Sequence, residues 1–393
     1  MKKSSNYRID LMMVILFFGI IFICMGSLIK NERTYSATEN RRLNTFQHFT
    51  ISKFFSGEYQ DSLEDALADQ AIGSETIKRF TSNVLKFVKY DKIPEFICKN
   101  KYVNFDGYYS YNCGDYLVKR LYSYYHEGVK GEILETLKQY SNLNEEIDTY
   151  YYFITTSDIY NFDTNDYEID VPSFVTDNMK GNYKMDVFKF DGYDEYTEYF
   201  YKTDHHWNYK GSYKGYTEIM KMLKPKDKVI VPEEEVEFDN LKFYGSASRM
   251  TKIFDFSENF KVYKFNFPEF DISNNRESST YGDEENYFNN KYLTDKLTNH
   301  YGYYYGGDSG EVIFDTHRNS KDNLLIISNS YSNAVNKLIA SHFNETYVVD
   351  LRNYLAHVGE EFELYEYIER NDIDKVLVIF NYQFLIGDAF HIE

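Results

Sequence analysis

The sequence predicts an α/β fold built on a doubly wound parallel sheet, and three observations lead to this prediction. Short aliphatic runs recur in the last third of the chain, each followed by a segment whose apolar residues have helical spacing. The runs are continuous rather than alternating, which is typical of strands buried on both faces. At 393 residues the chain is long enough for one large domain of this class.

The elements before this region are fewer. The predicted organisation is a cytoplasmic tip and membrane anchor over residues 1–30, a helical segment over 31–100 and the α/β domain over 101–393. Amphipathic spacing predicts helices at about 51–90 and about 115–143, and an apolar run follows at 150–155. No repeat or long linker interrupts the chain after the anchor.

The last third has the order strand, helix, strand, helix, strand. The predicted elements are strands at 324–327, 347–349 and 376–380, with helices from 333 and over 360–370. The first helix has one apolar face, formed by Ala334, Val335, Leu338, Ile339 and Phe343. In sheets of this kind ligands bind beyond the carboxyl ends of the strands, where Ser330, Arg352 and Asn381 fall.

The N-terminus predicts a membrane anchor. Residues 11–29 are apolar and uncharged, and as a helix they would be about 28 Å long, which matches a bilayer core. Lys2, Lys3 and Arg8 precede them, so the N-terminus should stay cytoplasmic while the rest is exported. A cleaved signal peptide is the alternative. We expect a single-pass cell-membrane protein whose functional domain is extracytoplasmic.

The composition excludes other classes of function. The chain has 43 Lys and Arg against 62 Asp and Glu, a formal net charge of −19, so we expect no nucleic acid partner. The three cysteines form no C-x-x-C pair, which leaves a zinc knuckle unsupported. Cys98 and Cys113 either pair with each other or remain two thiols.

The first candidate for chemistry is the motif Thr203-Asp204-His205-His206-Trp207, which contains the only Trp and two of nine histidines. In an extended segment residues i and i+2 project to one side, so Asp204 would lie beside His206 and fix its tautomer. His206 would then act as a general base. Two surface histidines beside a buried Trp are the alternative. Asp204, His205 and His206 could also bind a metal, but without further clustered histidines we expect none.

The second candidate is Ser330, on a predicted turn from strand to helix. Such a Ser is exposed, and the backbone N–H groups behind it can hold an oxyanion. A plain helix N-cap is the alternative, but Ser332 and Asn333 can supply the cap, which leaves Ser330 free for another role. A literal G-D-S sequence ends at Ser309; it follows a segment rich in Tyr and Gly rather than an aliphatic strand, which predicts a turn.

Around these residues the sequence resembles a known family. Residues 201–208, followed by Gly211 and Tyr216, resemble the signature of the DHHW proteins, which are relatives of the alginate O-acetylation proteins AlgX and AlgJ in the SGNH hydrolase superfamily. Weaker similarities to family segments lie at residues 39–43, 243–246, 305–308 and 330–332.

The resemblance implies an SGNH hydrolase-like sheet and a catalytic triad of Asp204, His206 and Ser330, in the permuted order Asp-His-Ser. It implies transfer of an acetyl group, through an acetyl-serine, to hydroxyls of an exported or cell-surface polysaccharide. No cofactor is implied, because a membrane-bound MBOAT-type protein would deliver the acetyl donor.

The resemblance implies that the oxyanion would be held by the Tyr331 N–H, helped by Arg352 or Asn381.

The resemblance leaves two alternatives to this activity open. The family's Gly and acidic or Thr residue before the nucleophile are replaced here by Ser328 and Asn329. This departure favours a catalytically inactive polysaccharide-binding or assembly subunit. A polysaccharide acetylesterase would use the same triad with water as the acceptor.

Overall fold

The computed structural model describes residues 147–385, except 168, 169 and 320, and shorter segments between 34 and 138 (34–36, 41–45, 48–70, 80, 102–105, 108–111, 115–119, 121, 131 and 133–138). The predicted anchor at 11–29, Cys98 and Cys113 lie outside the described residues. Among those described, no helix combines the length and the hydropathy that crossing a membrane requires.

The chain forms two compact units, Met1–Asn100 with Ser248–Phe254, and Lys101–Ala247 with Asp255–Glu393. The described elements of the first stretch are β1 Tyr35–Ser36, β2 Arg41–Arg42, α1 Ile51–Ser56 and α2 Glu58–Gln70. Thr50 caps α1 by accepting a hydrogen bond from the Lys53 N–H, and Gly57 ends it in the left-handed region. This part of the helical prediction over 51–90 is confirmed; most of 71–90 lies outside the described residues.

The larger unit contains the remaining elements. Its described strands are β3 Tyr102–Phe105, β4 Tyr108–Tyr111, β5 Leu117–Lys119, β6 Asp148–Ile154, β7 Tyr160–Asn161, β8 Asp166–Tyr167, β9 Tyr183–Phe188, β10 Glu234–Phe243, β11 Glu258–Lys264, β12 Asp271–Asn274, β13 Glu277–Ser278, β14 Glu311–Asp315, β15 Leu324–Ser328, β16 Glu345–Val349 and β17 Lys375–Asn381. Its described helices are α3 Val171–Asn178, α4 Gly192–Tyr199, α5 Tyr209–Leu223, α6 Ser246–Thr251 (which extends into Ser248–Phe254), α7 Glu284–Phe288, α8 His300–Tyr305, α9 Asn336–Ala340, α10 Leu351–Val358, α11 Leu364–Arg370 and α12 Tyr382–Leu385.

A mixed eight-stranded sheet has the order β13-β12-β14-β16-β15-β17-β6-β9. The five strands from β16 to β9 are parallel, as predicted. An all-parallel sheet is wrong for the other edge, because β14 pairs with β16 in antiparallel orientation. Because β15 is parallel to β16, a β14 strand in the same direction would need a crossover connection to reach β15. Only residues 316–323 join β14 to β15, which is too short for such a crossover.

The central strands are buried on both faces, which explains their continuous aliphatic sequences. In β15, Leu324 and Ile326 belong to one hydrophobic cluster, and Leu325 and Ile327 belong to the other; all four are 0% exposed. The alternation follows from the period of two along a strand. The sheet therefore holds its carboxyl edge rigidly between two packed layers.

Two local predictions need correction. The helix predicted over 115–143 is wrong at its start, where β5 pairs with β4 and buries Leu117 and Val118; residues 133–138 are helical. The helix predicted from 333 is broken into a 3-10 turn, Ser330–Ala334, and the short α9. Its predicted apolar face is buried nonetheless.

Candidate active site

The predicted nucleophile and the predicted acid-base pair come from different parts of the larger unit. Ser330 lies two residues beyond the carboxyl end of β15, after Asn329. Asp204 and His206 lie in an irregular loop between α4 and α5. The parallel strands bring the carboxyl end of β15 to the sheet edge where ligands bind in such folds.

Three side chains form one hydrogen-bonded chain. Asp204 Oδ1 lies 2.6 Å from His206 Nδ1, and His206 Nε2 lies 2.8 Å from Ser330 Oγ. His206 is 7% exposed and Asp204 1%. The alternative of two surface histidines therefore does not hold for His206. Its two ring nitrogens connect a buried carboxylate to a serine hydroxyl, as acid-base catalysis at a serine requires.

The loop that carries Asp204 and His206 is closed at its base. Phe200 and Trp207 form an antiparallel bridge, and Trp207 is fully buried. Asn208 caps α5 by accepting hydrogen bonds from two backbone N–H groups, including that of Gly211. A Cβ at Gly211 would come within 2.3 Å of the Tyr199 carbonyl oxygen, so only glycine fits there. The spacing of Trp, Asn and Gly in the motif thus serves this closure.

The second oxygen of Asp204 is also bound. Its Oδ2 accepts a hydrogen bond from the Ser246 N–H at 2.6 Å, and its Oδ1 accepts from the His206 N–H at 3.0 Å. Burial by itself raises the pKa of Asp204, but the charge and hydrogen bonds of His206, the charge of His205 and the Ser246 N–H together hold it well below its ordinary value. Asp204 is therefore ionised and fixed in orientation.

The sequence did not single out Tyr301, which stacks on the histidine. Its ring lies 4.0 Å from the His206 ring, at an interplanar angle of 8°. Its hydroxyl donates a hydrogen bond to the Ser330 carbonyl oxygen at 2.9 Å. Tyr301 thus contacts both His206 and Ser330. The only signal in the sequence was the tyrosine-rich segment itself, whose other members have no such contact with His206.

The turn at the nucleophile is capped differently from the prediction. Asn329, rather than Ser332 or Asn333, is the cap residue, and its Oδ1 accepts a hydrogen bond from the Tyr331 N–H at 3.2 Å. The short amide side chain reaches the N–H two residues on from an extended backbone. The Ser330 hydroxyl is consequently not the helix cap and is bound to His206 instead.

The three predicted oxyanion residues have different surroundings. The Tyr331 N–H donates a hydrogen bond to Asn329 Oδ1. Asn381 lies beside the same turn, where its Oδ1 accepts a hydrogen bond from Asn329 Nδ2 at 3.2 Å. The guanidinium of Arg352 instead donates to Asp350, with Nε to Oδ1 at 2.9 Å. The structure thus brings Asn381 to the nucleophile turn and binds Arg352 to its neighbouring carboxylate.

The metal alternative has a geometric basis but a competitor. The ligand atoms of Asp204, His205 and His206 lie within 4.8 Å of one another. Both ring nitrogens of His206 are already hydrogen-bonded, and His205 Nδ1 lies 2.7 Å from Ser246 Oγ. A metal would have to displace one of these bonds.

The second serine candidate, Ser309, lies in the loop between α8 and β14, as its sequence context predicted.

The chain matches no protein-family model and no curated protein sequence. Solved structures share its fold. The structure of Bacillus cereus PatB1 with a sulfonyl adduct has 19% sequence identity and a TM-score of 0.53, covering 71% of this chain and 96% of PatB1. A DHHW family protein from Eubacterium siraeum has 18% identity and a TM-score of 0.53, covering 73% of this chain and 94% of its own. The resemblance to the DHHW family that the sequence predicts is thus confirmed at the level of the fold.

Proposed function

We propose that this chain is a serine-dependent O-acetyltransferase that acetylates hydroxyls of an exported or cell-surface polysaccharide. The observation that carries the proposal is the hydrogen-bonded chain from Asp204 through His206 to Ser330. The sequence resemblance to the DHHW proteins and their shared fold support it. The residues that the proposal needs lie at the sheet edge where chemistry is usual for such folds.

The first half of the reaction loads the enzyme. His206 Nε2 takes the proton of the Ser330 hydroxyl as Oγ attacks the acetyl carbonyl of the donor. The new C–O bond gives a tetrahedral oxyanion, which collapses as the bond to the donor's leaving group breaks. The leaving group takes the proton from His206, and Ser330 is left as an acetyl ester. Asp204 stabilises the imidazolium between these two proton transfers.

The second half transfers the acetyl group to the sugar. A sugar hydroxyl gives its proton to His206 Nε2 and attacks the acetyl-serine carbonyl. The tetrahedral intermediate collapses with breakage of the bond to Ser330 Oγ, which recovers the proton from His206. The acetylated sugar leaves and the serine is free again. No cofactor is consumed in either half.

The oxyanion is proposed to bind at the Tyr331 N–H. Because Asn329 Oδ1 accepts from this group at 3.2 Å, the acetyl oxygen has to replace the amide oxygen there. Asn381, whose Oδ1 accepts a hydrogen bond from Asn329 Nδ2, is proposed to position the Asn329 side chain at this turn. Arg352 is proposed to act on substrate rather than on the oxyanion, since its guanidinium is bound to Asp350.

The proposal includes a setting and partners. The apolar run at 11–29 is proposed to anchor the chain in the cell membrane with the catalytic domain outside the cytoplasm. An MBOAT-type membrane protein is proposed to supply the acetyl donor.

One observation favours a second candidate function, a polysaccharide-binding subunit without catalysis. Asn329 Oδ1 accepts a hydrogen bond from the Tyr331 N–H, the group that catalysis needs for the oxyanion.

The first test measures acyl transfer at Ser330. The full-length chain in neutral detergent is incubated with p-nitrophenyl acetate, and nitrophenol release and intact mass are followed. We expect turnover or a trapped acetyl group, both lost in Ser330→Ala and His206→Ala. Ser309→Ala removes the other candidate serine and should behave as the wild-type chain.

Two further measurements separate the alternatives. Phenylmethylsulfonyl fluoride should add one sulfonyl group to the wild-type chain and to Ser309→Ala, but not to Ser330→Ala. Adding an oligosaccharide should divert acetyl groups from water to sugar if the enzyme is a transferase, whereas an esterase would only hydrolyse. Equal behaviour of all variants would overturn the catalytic proposal and leave the binding subunit as the better account.

A further inference from the structure

A second, charged cleft lies away from Ser330. It has a volume of about 640 Å³ and is lined in part by residues of the loop before β15 and by Ser341 and His342, which precede β16. These segments are at the amino ends of parallel strands, whereas Ser330 follows the carboxyl end of β15. A five-residue strand spans about 17 Å, so the cleft is a separate place on the same unit.

The cleft gathers positive charge in an acidic protein. Lys226, Lys228, Arg318 and Lys321 line it, with Asp227 as the acidic side chain among the described lining residues. Within the described part of the chain, none of these four cations has a carboxylate oxygen within ion-pair distance; the ion pairs near the cleft are those of Lys224 with Asp322 and His342 with Asp227. The whole chain has a formal net charge of −19. A local excess of cations against that background marks a surface suited to anions.

Two of the cations are held in place by backbone oxygens. Arg318 Nη1 donates to the Ser341 carbonyl at 2.9 Å, and Lys321 Nζ donates to the His342 carbonyl at 3.3 Å. A carbonyl positions these groups without cancelling their charge. Burial, with the neighbouring charges of Arg318 and Lys224, lowers the pKa of Lys321, although Asp227 opposes this. The like charges are therefore close enough to repel one another, and a bound anion would relieve that repulsion.

The cleft also has the other surfaces that a saccharide uses. Phe267 and Pro268 supply an apolar wall, and Asn266 supplies an amide beside it. The acidic Asp227 is turned towards His342, with Oδ2 3.5 Å from Nδ1. The planar guanidinium of Arg318 has the fork geometry that suits a carboxylate or a phosphate.

We propose that this cleft is a second binding site, for carboxylate or phosphate groups, and that it holds an anionic segment of the polysaccharide while Ser330 acts elsewhere on the chain. The choice of a polysaccharide as the bearer of these groups rests on the proposed function. The anion site itself rests on the four cations and the cleft.

The test is calorimetric titration of the full-length chain in neutral detergent with three probes. Trigalacturonate carries carboxylates, inorganic phosphate carries only the phosphoryl group, and maltotriose is a neutral sugar of the same length. We expect trigalacturonate or phosphate to bind, maltotriose to bind much more weakly, and 0.5 M sodium chloride to weaken the binding. Which of the two anions binds identifies the source of the charge.

Matched variants assign the binding to this cleft. The double variant Arg318→Gln with Lys321→Gln should weaken anion binding by about tenfold or more, since two charge-assisted contacts are lost. Lys184→Gln with Lys189→Gln removes the same charge elsewhere and should leave binding unchanged, as should Ser330→Ala. Unchanged binding in the first variant, or equal binding of maltotriose, would overturn the proposal.

The same samples separate this proposal from the catalytic one. The double variant at Arg318 and Lys321 should retain wild-type release of nitrophenol from p-nitrophenyl acetate, because that small ester does not reach the cleft. If the wild-type chain binds trigalacturonate or phosphate at the cleft but releases no nitrophenol, the anion site stands and the catalytic function falls.

Discussion

His206 is held by contacts on several sides, which is what a general base at this position needs. Asp204 fixes one ring nitrogen, Ser330 lies at the other, and the Tyr301 ring covers one face of the imidazole. An aromatic face also favours the positive charge that the ring gains when it takes a proton. Tyr301 is therefore a positioning residue in the proposed reaction, acting through His206 and the Ser330 backbone.

Two substitutions separate the roles of the Tyr301 ring and hydroxyl. Tyr301→Phe keeps the stack and loses the hydrogen bond to the Ser330 carbonyl, so kcat for p-nitrophenyl acetate should fall by less than about tenfold. Tyr301→Leu loses the stack as well, and kcat should fall further with KM nearly unchanged. Equal losses in the two variants, or a change confined to KM, would assign Tyr301 a purely structural or binding role.

At the scale of elements, the site depends on a close approach between two segments. The turn between β10 and α6 places Gly245 against the loop that carries Asp204. A Cβ at Gly245 would lie 2.3 Å from Asp204 Cβ and 2.6 Å from the Thr203 carbonyl oxygen. The Gly245 N–H donates to Thr203 Oγ1 at 2.9 Å, which ties the turn to the loop.

Gly245→Ala should therefore disable the site without unfolding the domain. The added methyl group has to push Asp204 away, which moves His206 out of reach of Ser330, and misplacement of about 1 Å costs roughly 100-fold in rate. The measurement is p-nitrophenyl acetate turnover, with circular dichroism to check the fold. Gly307→Ala is the control, because nothing lies within 4 Å of a Cβ there. Wild-type turnover in Gly245→Ala would contradict the argument.

The elements also explain how far sequence reasoning reached. The predicted strands at 324–327, 347–349 and 376–380 each lie within an observed strand, because central parallel strands are continuous aliphatic runs. The antiparallel edge from β14 to β13 is not evident from the sequence, since its strands include polar and charged residues and are only partly buried. Strand β5 was mistaken for helix because its three residues are too few to show a period.

The candidate site divides in the same way. Asp204 and His206 could be paired from their spacing, and Ser330 could be selected from the strand before it and the turn after it. The stack of Tyr301 on His206 and the approach of Gly245 to Asp204 join residues far apart in the chain. No local pattern encodes such contacts, and they are read only from the fold.

At the scale of the whole molecule, two carboxylates near the site make stability depend on pH in opposite ways. The pKa of Asp204 is held well below its ordinary value, so its contribution to stability is present above about pH 4 and is lost as the pH falls through the lowered pKa. Burial raises the pKa of Glu258 from 4.5 to about 8, although the Lys202 N–H, bonded to its carboxylate at 2.6 Å, opposes this. The stability of the fold should therefore fall at acid pH because of Asp204 and at alkaline pH because of Glu258.

Glu258→Gln should stabilise the protein at alkaline pH. Between pH 4.5 and about 8 the folded chain keeps a proton on Glu258 that the unfolded chain has released, so stability falls as the pH rises through this range. Glutamine carries no charge and its amide oxygen can still accept the Lys202 N–H. The gap in Tm between variant and wild type should therefore widen from pH 5 to pH 9. Glu361→Gln, at an exposed position, changes the net charge equally and controls for the general relief of repulsion in a chain of charge −19. If the two variants have the same pH dependence of Tm, the effect belongs to net charge and the raised pKa of Glu258 is wrong.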